Sequence, residues 1–329
     1  MRNPSKFSAI TFDAAAVLQQ YFVGHNHTLI KTGLLFVIIL TLCGGFPVNA
    51  QELITSEAPP FRPDYPETQT AQYCSPYVEI WERQFLPEGF IYGTYWASAA
   101  EPRLSTQIDN VSGDQTYVDS TMGGRLGLFR FGPHDTPEGF QFDLLGGAKL
   151  RQNWGDLDVI ATDYRYDLLG TYGDGPHRYK FGFYHVSSHL GDEFLLNNVG
   201  FNRLNYYRDA FVFGYSYYAF PELRLYAETS WSFHNEISEP WEFQFGFDYG
   251  PTCPTGPQGK PFIAFNTHLR EEVNFGGNVA LQAGWAWKGD NLTAGTLRTG
   301  LYYYNGESPQ FSFYDEHEMQ IGVGLWYDY

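Results

Sequence analysis

Apolar and polar residues alternate along most of this chain with a period of two, the period of a strand whose two faces meet different surroundings. Over residues 140–151, Phe140, Phe142, Leu144, Gly146, Ala148 and Leu150 form one face. Gln141, Asp143, Leu145, Gly147, Lys149 and Arg151 form the other. Over 223–234, Leu223, Leu225, Ala227, Trp231 and Phe233 oppose Arg224, Glu228, Ser230, Ser232 and His234. Residues 278–288 repeat the pattern, with Val279, Leu281, Ala283, Trp285 and Trp287 on the apolar face. Further alternating runs fall at 104–108, 125–131, 157–169, 179–187, 201–218, 241–249, 262–271, 297–304 and 319–329, which makes twelve in all. Many approach the roughly 9 to 11 residues that a tilted transmembrane strand needs. The pattern predicts an all-β fold: a closed antiparallel transmembrane β-barrel of about 12 strands, an even number as bacterial barrels have. Its apolar faces are expected outward, with Asp143, Lys149, Arg151, Asp163 and Arg165 in the lumen.

Alternation alone does not separate such a barrel from a soluble one, and the two ends of the chain decide. The last run places Met319, Ile321, Val323, Leu325, Tyr327 and Tyr329 on one face and stops on an aromatic residue. That is the terminal-strand signal read by the outer-membrane assembly machinery, the expected partner in biogenesis. Near the other end, Lys31 precedes the apolar stretch 34–42, and Val48-Asn49-Ala50 makes a small-residue cleavage site before Gln51. This reads as a secretory signal peptide, too short for a membrane anchor. Cys43 follows Leu42, which does not suit lipoprotein attachment. The thirty residues ahead of Lys31 fit no standard signal and point to a misassigned start codon. The organisation is therefore residues 1–50 as signal peptide, 51–103 as an aperiodic periplasmic or lumen-facing segment, and 104–329 as the barrel. The location this implies is the outer membrane of a Gram-negative-type bacterium.

Composition agrees. Aromatic residues make up 19% of the 329 residues, with 25 Tyr and 28 Phe, yet the mean hydropathy is −0.34. A sheet with one greasy and one wet face gives both at once, and clusters such as Tyr302-Tyr303-Tyr304 suit interfacial girdles. A formal charge of −17 excludes the basic footprint of a nucleic-acid-binding protein. Cys74 and Cys253, both in loop-like settings, survive cleavage and stand open as a disulfide or as two thiols.

The candidate chemistry lies in residues 182–193, Gly-Phe-Tyr-His-Val-Ser-Ser-His-Leu-Gly-Asp-Glu, followed by Phe201-Asn202-Arg203-Leu204. His185 and Ser187 share a strand face with Tyr179, Phe181 and Phe183, a face that looks lipid-directed. A serine hydroxyl beside an imidazole is the minimum for an activated nucleophile, with a third group needed to orient the base. Two other readings stay open: an interfacial polar cluster in a structural hairpin, and a metal site on His185, His189 and Asp192.

The order Gly-aromatic-x-His-x-Ser, then an acidic loop, then aromatic-Asn-Arg-Leu resembles the outer-membrane phospholipase A family. The resemblance implies cleavage of membrane lipid esters, with His185 as base, Ser187 as nucleophile, Asn202 orienting the imidazole and Asp192 at a calcium site. Where that family carries Asn-Gly-Arg after the serine, this chain reads Ser188-His189-Leu190. Phe211, Phe213, Tyr215 and Tyr217 share parity with Asn205 rather than Asn202, so a β-bulge is needed for Asn202 to face lipid. Over the whole mature chain the resemblance is to an uncharacterised family, domain of unknown function 1207. It is carried by Phe85-Leu86-Pro87-Glu88-Gly89, Ala100-Glu101-Pro102-Arg103-Leu104 and Ser187-Ser188-His189-Leu190-Gly191-Asp192-Glu193. That family implies an outer-membrane barrel and is silent on chemistry. The alternative to a lipid hydrolase is a non-enzymatic barrel, either a narrow channel or a structural protein of the envelope.

Overall fold

A computed structural model describes residues 81–112, 115–134, 136–290 and 294–329. The expected signal peptide and Cys74 lie outside them. Thirteen strands follow in chain order: β1 (Glu82–Phe85), β2 (Leu104–Val111), β3 (Gln115–Gly132), β4 (Gly139–Asn153), β5 (Val159–Asp174), β6 (His177–Leu190) and β7 (Tyr207–Phe220). They continue with β8 (Leu223–Asn235), β9 (Trp241–Tyr249), β10 (Lys260–Arg270), β11 (Gly276–Lys288), β12 (Thr296–Glu307) and β13 (His317–Asp328). One short helix, α1 (Asp192–Asn197), sits between β6 and β7. No helix among the described residues is long and apolar enough to cross a membrane.

Strands β2 to β13 form an antiparallel meander in which β13 returns to pair with β2 and β3 pairs with β4, so the sheet closes on itself. Closure leaves no open edge, which is what hydrocarbon demands of backbone polar groups. The side chains sort as the alternation requires. Phe140, Phe142 and Leu144 on β4 face outward, whereas Asp143 is 1% exposed, Arg151 2% and Asp163 5%. Several inward charges are paired, as burial favours. Arg125 meets Asp143 at 2.5 Å, and Arg151 meets both Asp119 and Glu318 at 2.7 Å.

Two features depart from the sequence expectation. The run expected at 125–131 is the end of a longer strand, β3, because Gly123 and Gly124 interrupt the hydrophobic signal without interrupting the pairing. The run expected to begin at 201 begins at Tyr207, because Phe201 instead packs on Phe194 of α1 and on Phe313, with ring centroids 5.1 and 6.0 Å away.

The lumen is filled from both ends. Strand β1 pairs with β3 at Phe129–Gly132, and residues 86–103 then pass inside the barrel before β2 begins. Wall arginines hold this segment by its backbone carbonyls. Arg130 donates to Glu88 and Gly89 at 3.0 and 2.9 Å, Arg125 to Tyr92 at 2.5 Å, Arg224 to Gly93 at 2.9 Å and Arg298 to Trp96 at 3.2 Å. Where the segment leaves the lumen it crosses Gly123, whose missing Cβ would lie 2.8 Å from the Arg103 nitrogen. Within it the hydroxyls of Tyr92 and Tyr95 bond at 2.7 Å, and burial pushes the Tyr92 phenol up to about 12. From the opposite end, the β12–β13 connection folds inward, with Phe311 stacked on Tyr206 at 4.8 Å and Ser312 bonded to Ser188 at 2.7 Å. The cavities left between segment and connection measure about 20 and 30 Å³, room for a water or two.

Asp328, next to the end of the chain, ties segment and wall together. Its carboxylate takes Arg298 at 2.7 Å, Arg103 at 3.2 Å and the Thr94 hydroxyl at 2.8 Å. Asp328→Asn removes the charge facing two buried guanidinium groups and is expected to destabilise the barrel by about 3–5 kcal/mol. Heat-dependent electrophoretic mobility of the folded form checks this, and an unchanged transition temperature would contradict it.

Candidate functional site

The candidate residues lie on the outer wall near the rim away from the chain end. On β6 the outward side chains are Tyr179, Phe181 and Phe183, then His185, Ser187 and His189, while Tyr184, Val186 and Ser188 point inward. The apolar run stops at the same height on β7, where outward Phe213 and Phe211 give way to Asp209 and Tyr207. Polar groups therefore begin where the greasy belt ends, the level of a membrane interface.

The backbone register opposes His185 to Asp209 across the β6–β7 pair. The His185 Nδ1 lies 2.7 Å from Asp209 Oδ1, a distance at which an N–H donates to a carboxylate. The Tyr166 ring stacks on the imidazole from β5, with centroids 5.0 Å apart. The other carboxylate oxygen of Asp209 lies 2.9 Å from His234 Nδ1. His234 reaches it through a register shift: Asp209 opposes His234 and Ala210 opposes Ser232, so the bulge turns Phe233 and His234 both outward. One carboxylate thus holds two imidazoles, and with Nδ1 engaged, His185 presents Nε2 for proton transfer.

Ser187 stands one pleat nearer the rim on the same face, about 6.6 Å along the strand by strand geometry. Asn202 is elsewhere. It lies in the exposed connection before β7, and the orienting position at His185 is filled by Asp209. The parity of Phe211 and Phe213 already pointed along β7 to Asp209, whereas the bulge that brings in His234 has no sequence signal. Arg203 of the same connection lies 3.3 Å from His189 Nδ1.

Asp192 opens α1 and is exposed. Among the described residues no group of three or more His, Cys, Asp or Glu is gathered as a metal-ligand set. Cys253 is half-buried in the β9–β10 connection.

Among solved structures the chain is similar to outer membrane phospholipase A from Escherichia coli, at 12% identity and a TM-score of 0.46, covering 68% of this chain and 92% of that one. A calcium-bound dimer of the outer membrane phospholipase of Salmonella typhi gives 12% identity and a TM-score of 0.47, over 68% and 91%. The KdgM porin gives 12% and 0.37, over 69% and 99%. No curated protein matches in sequence. The family described as Protein of unknown function (DUF1207) matches residues 48–329, and the chain belongs to that family.

Proposed function

We propose that this protein is an integral outer-membrane barrel that hydrolyses ester bonds of membrane lipids with Ser187 as nucleophile, His185 as base and Asp209 as the group that orients the base. The observation that carries the reading is the His185–Asp209 hydrogen bond of 2.7 Å on the outward face, one pleat from Ser187 and at the edge of the greasy belt. A buried or lumenal pair would not meet a lipid, whereas this one faces the level where ester carbonyls lie.

In this reading His185 Nε2 takes the Ser187 proton as the oxygen attacks the carbonyl, and Asp209 stabilises the imidazolium that forms. The ester C–O bond breaks, the leaving alkoxide receives that proton, and an acyl-serine remains. Water then attacks with the same base, releasing the fatty acid and restoring the hydroxyl. Arg203, held beside His189 one pleat further out, supplies positive charge on the side where the oxyanion develops.

The test is release of fatty acid from phospholipid–detergent micelles by the purified full chain. Ser187→Ala is expected to lose activity to background while keeping the heat-shifted mobility of a folded barrel, since a small change on an exposed face costs little stability. A Ser187→Ala protein that retains the full rate would end the hydrolase reading and leave a non-enzymatic envelope barrel.

A further inference from the structure

We propose a second site, independent of the hydrolytic reading: the blind cavity at the mouth of the lumen, on the rim away from the chain end, binds an uncharged saccharide. The cavity measures about 580 Å³ and lies between the start of β3, the β4–β5 connection and α1. That volume falls within the 300–1,000 Å³ usual for small-ligand sites. It is the mouth of the barrel rather than part of the outer wall. Tyr117 and Asn153 oppose one another across β3 and β4 and share the inward parity of Asp119 and Arg151.

The cavity leads nowhere. Its floor is the Tyr117 ring, packed over the Arg151 guanidinium at 5.0 Å, and beneath it Arg151 is locked to Asp119 and Glu318. One side is closed by Phe194, whose ring packs on Phe313 of the inward-folded connection at 5.5 Å. A ligand that enters stays at the mouth, as in a receptor site rather than a conduction path.

The lining fixes the ligand class. Trp154 is 55% exposed at the entrance, where its ring offers a flat apolar face to a ligand. Around it stand groups with unspent hydrogen-bonding capacity. The Asn153 Oδ1 accepts from the Asp156 backbone, which leaves its two N–H donors, while the side chains of Asn197 and Asp158 have no partner among the described residues. Among the described residues, no Lys, Arg or His lines the cavity, and Asp158 is the single carboxylate that does. An anion would meet repulsion without a compensating cation. A pyranose offers what the site lacks: an apolar C–H face for the aromatic rings and a ring of hydroxyls that both donate and accept, matching amides and a carboxylate.

Titration calorimetry of the detergent-solubilised full chain with glucose, galactose, maltose and lactose tests this, with glucose 6-phosphate as the charged comparison. At least one of the four neutral sugars is expected to bind saturably. Trp154→Ala or Asn197→Ala is expected to weaken that binding tenfold or more, with the heat-shifted mobility of the folded barrel retained. Both positions are on exposed elements, so if one variant fails to fold the other still carries the test. Heat from none of the four sugars, unchanged affinity in both variants, or glucose 6-phosphate binding as tightly as glucose would each overturn the proposal. Loss of lipid hydrolysis in Ser187→Ala has no bearing on the outcome, so the two readings fail separately.

Discussion

Asp209→Ala is expected to lower the rate of lipid-ester hydrolysis about 10⁴-fold, close to the loss from removing Ser187 itself. Without the carboxylate, His185 has nothing to hold its ring or to select the tautomer whose Nε2 accepts a proton. The imidazolium formed in the transition state also goes unstabilised. The loss falls on kcat, because Asp209 does not meet the lipid. Asn202→Ala is the matched comparison: that side chain stands in the exposed connection before β7, and its removal is expected to leave the rate within a factor of two. Double replacement of Asp209 and Ser187 is expected to cost no more than the worse single change, since members of such a unit are strongly non-additive. A rate that falls with Asn202 and survives loss of Asp209 would reverse the assignment.

The second large effect concerns the lumen. Between residues 86–103 and the β12–β13 connection lie cavities of about 20 and 30 Å³, each too small for a hydrated ion. The intact barrel is therefore expected to be electrically silent in planar bilayers. A variant in which residues 88–101 and 309–315 are replaced by short Gly-Ser linkers is expected to show stepwise conductance. The wall left behind is lined by paired charges such as Arg208 with Glu242 and Lys180 with Glu228, and water wets such a wall readily. Stepwise conductance from the intact chain would contradict the filled lumen and favour a channel.

Much of the barrel was legible because alternation is a one-dimensional record of two solvents. Asp143 between Phe142 and Leu144 has one place to go once the apolar faces are assigned to lipid, and the structure buries it there. The inner segment was legible only as aperiodic chain, periplasmic or lumen-facing. Its position rests on guanidinium groups meeting backbone carbonyls, and a carbonyl leaves no trace in the residue letters. The same limit explains the β3 boundary, where Gly123 makes room for the crossing backbone at the cost of the hydrophobic pattern. That His185 and Ser187 share the outward face was legible from their parity. The third group was sought at Asn202 by motif order, although parity along Phe211 and Phe213 led to Asp209 instead. His234 needed a bulge in β8, and bulges follow from pairing geometry rather than from local sequence.

If Ser187 is a nucleophile primed by His185 on the lipid-facing wall, its hydroxyl can be captured covalently. The folded full chain in detergent is treated with a long-chain alkyl sulfonyl fluoride, digested, and analysed by mass spectrometry. A single sulfonyl adduct is expected on the peptide carrying Ser187, absent in the unfolded chain and in His185→Ala, where the hydroxyl has no base. An unlabelled Ser187 in a barrel that hydrolyses lipid, or an adduct at Ser187 that forms equally fast without His185, would contradict it.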